Sequence, residues 1–178
     1  MSPGCTRTAC GPPCRRTFEG VARGDPVRRT RRGGYEIRLD ARERDVLRRL
    51  PDQLRDLLEH EDPSSDPAMA RLYPPAYLDD PIRNLEFEGM AADDLTKERM
   101  AAIERMNATV DAEKLSEDDV LAWLSVTNDL RLVIGTRLEI TEETTDADFP
   151  TDDPRAGAFS LYAYLTWLVD AMVRALSA

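Results

Sequence analysis

The stretch Ser116-Glu-Asp-Asp-Val-Leu-Ala-Trp-Leu-Ser-Val-Thr-Asn-Asp-Leu-Arg-Leu-Val-Ile-Gly-Thr-Arg-Leu-Glu-Ile140 decides how the rest of the chain is read. Ser116 with Asp119 three places on predicts a capping box, in which the hydroxyl takes an orphan amide of the first turn and the carboxylate reaches back to the cap. Wound at about 100° per residue, Val120, Leu121, Trp123, Leu124, Val126, Leu130, Leu132, Val133, Ile134 and Leu138 cover most of the circumference. Ser125, Asp129 and Thr136 are left as a polar seam. A helix apolar nearly all round belongs inside a bundle, so other helices must wrap it. Asn128 and Arg131 break the apolar arc on nearly the same line as Leu124 and Gly135, where a buried charge needs a partner. Asp170, or an acid in the Leu85 to Met90 segment, is the expected partner of Arg131, and Arg131→Ala is expected to cost about 3 to 5 kcal/mol. Gly135, one turn from Arg131, predicts close approach by a second helix.

Outward from this helix, 178 residues suffice for one domain with a real core. The net charge of -10 is uneven: residues 1 to 34 hold eight arginines against Glu19 and Asp25, a net +6, which leaves -16 for the remainder. Such a body repels nucleic acid and anionic membrane, whereas the arm attracts both. Residues 1–33 carry only Phe18, Val21 and Val27 as sizeable apolar groups and are expected to be a disordered tail, or a leader upstream of the true start. The helical domain is expected over residues 35–178. Tyr35 to Leu39 alternates as one short strand. Asp40 with Glu43 repeats the capping box and opens a helix carrying Leu47, Leu50, Leu54 and Leu58, interrupted at Pro51 and ending near His60. Prolines at 63, 67, 74 and 75 predict a long loop, in which Arg71 to Tyr77 packs back on the bundle.

Pro81 suits a helix first turn, with Leu85, Phe87 and Met90 on one side and Gly89 weakening it. Leu95, Met100, Ile103, Met106 and Val110 predict a further helix from about Asp94 to Asp111. Thr141 to Pro154 holds six acids and two prolines with Phe149 as its large apolar residue, and reads as a solvated, mobile linker. The last helix, Arg155 to Leu176, places Leu161, Leu165, Leu168, Met172 and Leu176 on one stripe and is expected to pack along the central helix. Asp170 and Arg174 stand at i,i+4 as a mutual pair or as partners of Arg131. No apolar run is expected to reach the roughly 18 residues that span a bilayer, and a signal peptide is not evident, so a cytoplasmic protein without membrane attachment is expected.

No catalytic constellation is visible, and no enzyme is expected. His60 is the sole histidine, which excludes metal sites built on several histidines. The acidic pairs at Asp79, Asp93, Asp118 and Asp152 lack calcium-loop spacing and suit caps and solubility, so neither a metal nor a cofactor is expected. Cys5, Cys10 and Cys14 lie beside Arg7, Arg15 and Arg16, which would lower a thiol pKa, and are the candidate redox residues. Arg28, Arg29, Arg31 and Arg32 form a candidate arm for gripping nucleic-acid phosphates without sequence reading. Asn128, Asp129, Arg131 and Gly135 are the candidate structural or interaction residues. Pro74-Pro75-Ala76-Tyr77 matches a short polyproline recognition pattern, which packing explains better.

Asn128-Asp-Leu-Arg-Leu-Val-Ile-Gly-Thr-Arg-Leu138, followed by Leu161-Tyr-Ala-Tyr-Leu-Thr-Trp-Leu168, resembles an actinobacterial family long described as a domain of unknown function. Arg71 to Tyr77 is similar to its loop pattern, and the resemblance spans about Tyr35 to Leu176. Some members of that family are described as oxidative-stress transcriptional regulators (AosR) acting with an extracytoplasmic-function sigma factor, and family genes commonly neighbour that of the protease adaptor ClpS. The resemblance therefore implies stress-responsive transcriptional regulation without catalysis, through a protein partner such as a sigma factor or RNA polymerase, with an accessory role in ATP-dependent proteolysis as the alternative. All three cysteines fall outside the matching region. The expected architecture is all-α, a bundle of about five helices around a central buried helix, with a disordered N-terminal arm and one short strand.

Overall fold

The computed structural model describes residues 25–60, 66–73 and 81–178, with the side chains of 81–93 excepted. Among the described residues six α-helices and three short strands follow one another: β1 (Val27–Thr30), β2 (Gly34–Ile37), α1 (Ala41–Leu47), α2 (Leu50–His60), α3 (Pro67–Leu72), α4 (Pro81–Thr109), β3 (Lys114–Leu115), α5 (Glu117–Arg137) and α6 (Ala156–Leu176). Since α1 and α2 are one helix broken beside Pro51, the expectation of about five helices around a central one is met.

The local signals act as their chemistry requires. Asp40 caps α1 through the amides of Arg42 and Glu43 while the Glu43 carboxylate accepts from the Asp40 amide. Ser116 and Asp119 exchange the same bonds at the start of α5. Pro51 and Pro81 stand in first turns, where a missing amide costs nothing. One expectation is corrected here: α4 runs unbroken across Gly89 for 29 residues. A mid-helix glycine costs about 1 kcal/mol, which packing of a long helix readily offsets.

α5 is the hub, packing most extensively on α6, then on α4 and α3. Its fully buried Trp123, Val120 and Val126 meet Leu165, Leu168 and Met172 of α6, Ile103 and Met106 of α4, and Met69 and Leu72 of α3 in one continuous core. By length and composition α6 could cross a bilayer, which corrects the expectation that no apolar run reaches that length. Here its buried side chains face α5 and the core.

The N-terminal boundary is also corrected. Residues 27–30 pair antiparallel with 34–37 in register Val27 to Ile37, and β2 pairs with β3 in register Tyr35 to Leu115. The three-residue turn between β1 and β2 closes with the Gly33 amide on the Thr30 carbonyl, and Gly33 takes φ +77°, the left-handed conformation such loops need. Val27, Tyr35, Ile37 and Leu115 are buried, and β1 touches α6. A disordered segment ending at residue 33 would cut this hairpin in two, so a truncation sparing the fold belongs before Asp25. The Thr141–Pro154 linker is likewise not a free tether. A 3-10 turn at Asp146–Asp148 delivers Phe149 into a second small cluster with Leu138 and Phe159, where the Phe149 and Phe159 rings stack at 4.4 Å. The Arg155 guanidinium covers the Phe149 ring at 4.9 Å.

Candidate functional site

The α5 residues singled out from sequence divide between two faces of the helix. Asp129 faces α4 and α3, and is buried, which corrects its expected place on a polar seam; Leu121, counted among the apolar residues, is 48% exposed instead. The Asp129 carboxylate accepts from Arg99 Nε of α4 at 3.0 Å. Arg99 Nη2 also donates to the Leu72 carbonyl at 2.7 Å, and its guanidinium lies 5.0 Å from the Tyr73 ring centre. Tyr73 in turn bonds Thr96 at 2.8 Å. One arginine thereby ties the C-terminus of α3 to both α4 and α5. Burial pushes the Asp129 pKa up despite the attraction of Arg99.

Arg131 and Gly135 face α3 and α6, on the wall of an open cleft of about 460 Å³. The expected acidic partner of Arg131 is not found among the described residues: Asp170 is exposed, and Arg174 pairs with Asp25 at 3.2 Å. Arg131 Nη2 instead donates to Asn128 Oδ1, one turn back, at 2.8 Å, and its buried Nε has no acceptor. Among the described residues Arg131→Ala would strand no buried carboxylate, so they give no support for the expected penalty of about 3 to 5 kcal/mol. A neutral hydrogen-bond partner on the same helix supports a cost nearer 1 kcal/mol. The acids of the Leu85 to Met90 segment have side chains outside the described residues.

Three features of the cleft were not read from sequence. Arg71 of α3 lines the cleft together with Arg131. The Tyr162 ring of α6 lies against Gly135, so that a Cβ there would come within 3.0 Å of Cε2. At the C-terminal end of α5 the Ile140 amide returns to the Gly135 carbonyl and the Glu139 amide to that of Thr136, a Schellman closure. Its left-handed position, usually glycine, holds Glu139 at φ +56°, with the side chain on the cleft rim. Asp66 fixes the other side, capping α3 through the Ala68 amide and pairing with Arg137 at 3.1 Å. Gly135→Leu is expected to lower stability by about 1 to 3 kcal/mol in chemical unfolding, because the ring must leave its seat. An unchanged midpoint would mean that Tyr162 swings into the cleft freely.

Among the arm arginines, Arg28 and Arg29 are exposed on β1, and Arg31 and Arg32 are exposed in the turn. They therefore lie on a paired hairpin rather than in an unstructured tail. Arg28 comes within 3.8 Å of Glu36. Cys5, Cys10 and Cys14, together with the Pro74 to Tyr77 motif, lie outside the described residues. His60 closes α2 with Nδ1 at 2.9 Å from the Asp56 carbonyl. No cluster of three or more metal-ligating side chains occurs among the described residues.

A family profile described as a domain of unknown function, DUF2017, matches residues 24–176. The chain is similar to proteins named oxidative stress regulator AosR from Mycobacterium bovis (strain ATCC BAA-935 / AF2122/97) and Mycobacterium tuberculosis (strain ATCC 25618 / H37Rv), 28% identical over 131 residues, which covers 64% of this chain and 60% of each relative. A protein named putative oxidative stress regulator AosR from Mycobacterium leprae (strain TN) is 28% identical over 130 residues, covering 64% of this chain and 59% of that relative. The chain thus spans about 60% of the length of the curated relatives it matches. No solved structure gives a significant match.

Proposed function

The chain belongs to the DUF2017 family, and from that membership we propose that it is a cytoplasmic regulator of the oxidative-stress response that acts through protein contact rather than catalysis. The observation that carries this reading is the shared name of its mycobacterial relatives. The finer reading is transcriptional: a sigma factor or RNA polymerase is the partner, and the four exposed hairpin arginines add a DNA contact without base reading. Cys5, Cys10 and Cys14 are the thiols available to a redox signal, with two thiols oxidised to a disulfide as a peroxide is reduced to water.

A crosslinked pull-down of the full chain from oxidant-treated and untreated cells tests the partner. Sigma factor or polymerase subunits are expected. Recovery of ATP-dependent protease subunits or their adaptor in their place would replace this reading with the proteolytic one. The DNA contact has its own test, in which Arg28, Arg29, Arg31 and Arg32 are changed together to Gln. All four are exposed, so the melting temperature should hold while retention on DNA at low salt falls and its salt dependence flattens, by about 0.9 in slope per lost phosphate contact. Retention unaltered by the fourfold change would remove the hairpin from the proposal.

A further inference from the structure

We propose that the cleft between α3, α5 and α6 is a binding site for a small organic anion, a carboxylate or phosphate carried on a compact apolar body. Most arginines near the bundle core are already held by carboxylates: Arg99 by Asp129, Arg105 by Asp119 and Arg137 by Asp66. Arg71 and Arg131 are different. Both line the cleft, neither is paired with a carboxylate among the described residues, and Arg131 keeps a buried Nε without an acceptor. Guanidinium forks match the two oxygens of a carboxylate or phosphate, so two forks lining one cleft without a carboxylate of their own are a receptor for that head group. Outside this cleft the body of the protein is strongly acidic, so an anion would be held locally rather than by the general field.

The cleft also supplies the rest of a small-molecule site. Leu132 and the Tyr162 face offer apolar surface and the Thr136 hydroxyl lies beside them, in a cavity of about 460 Å³. That volume falls within the roughly 300 to 1,000 Å³ of ligand pockets. Gly135 leaves the Tyr162 ring in place beneath the opening. Glu139 makes the rim unusual. It is held in a left-handed conformation that non-glycine residues rarely adopt, and a carboxylate lining the cleft disfavours an anion. A strained charged residue lining a cavity points to a role in what enters. The site is independent of the regulatory reading above, which stands or falls on the partner.

The test uses the full chain, isotope-labelled for NMR, titrated with phenyl phosphate, inorganic phosphate and benzyl alcohol. Phenyl phosphate is expected to shift the amides of Thr136, Glu139, Ile140 and Thr141 saturably, at least tenfold more tightly than either control. Arg71→Gln, exposed and without a side-chain bond among the described residues, should keep the melting temperature and weaken binding about tenfold, the loss expected for one charge-assisted contact. Glu139→Gln should tighten it. Equal binding of benzyl alcohol, equal binding of inorganic phosphate, an Arg71→Gln variant that binds as the parent does, or shifts confined to residues 28–32 of the hairpin would each overturn the proposal.

Discussion

Asp129→Ala is expected to lower stability by about 3 to 5 kcal/mol in urea unfolding, the range for removing one partner of a buried ion pair. The Asp129 and Arg99 side chains are only 10% and 15% exposed, and Arg99 is pinned by the Leu72 carbonyl and the Tyr73 ring, so it cannot follow a lost carboxylate into water. Yet the pair need not be a net gain over apolar packing. Burial outweighs the pull of Arg99 and holds the Asp129 pKa above its ordinary 3.8. The double variant Asp129→Leu with Arg99→Met should therefore recover most of the loss, leaving a strongly non-additive cycle. The sign with pH follows. In the window from 3.8 up to the raised value the folded state holds more protons than the unfolded one, so this group's contribution to stability falls as pH rises through it. Asp129→Asn should remove that slope. An Asp129→Ala variant within 1 kcal/mol of the parent would mean that the pair is solvated.

Asp129 also marks where the sequence is legible and where it is not. Helix starts depend on neighbours within four residues, so Asp40 with Glu43, Ser116 with Asp119, and Pro51 and Pro81 could all be read directly. The close approach at Gly135 was legible for the same reason, since a glycine inside a strongly apolar helix implies a neighbour that needs the room. What a buried polar residue faces depends instead on distant chain. Helical angle placed Asp129 with Ser125 and Thr136, but α5 is covered on three sides, and its partner Arg99 lies thirty residues upstream on α4. Arg131 is the opposite case: its line on the helix opens into a cleft, and among the described residues its partner is Asn128 of its own helix rather than a carboxylate.

The strand at Tyr35 was legible in its alternation and is β2, whereas β1 and β3 were hidden by composition. Val27-Arg-Arg-Thr30 has one apolar residue, and only pairing with β2, which β3 flanks on its other edge, and packing on α6 make it a strand. Phe149 was hidden among acids, although a lone large aromatic in an acidic connection is itself a sign of anchoring. The cleft required Arg71, Glu139 and Tyr162 from three separate segments, and no local pattern joins them.

Trp123→Ala is expected to cost about 3 to 5 kcal/mol, the range for truncating a buried large aromatic. Trp123 is fully buried at the level where α5 crosses the end of α4, among the side chains of the main core. Its indole Nε1 donates to Thr109 Oγ1 at 2.9 Å, and that hydroxyl donates in turn to the Arg105 carbonyl at 2.7 Å, closing the last turn of α4. The side chain therefore does two things, filling the junction and fixing the α4 C-terminus through a hydroxyl that both accepts and donates. The two separate by substitution. Thr109→Val keeps the volume but leaves the buried indole N–H without an acceptor, which should cost about 1 to 3 kcal/mol. Once Trp123 is already Ala, the same Thr109→Val change should cost much less, since the donor is gone. Chemical unfolding of the four species checks this. If Thr109→Val costs the same in both backgrounds, the indole bond contributes nothing and Trp123 acts by volume alone.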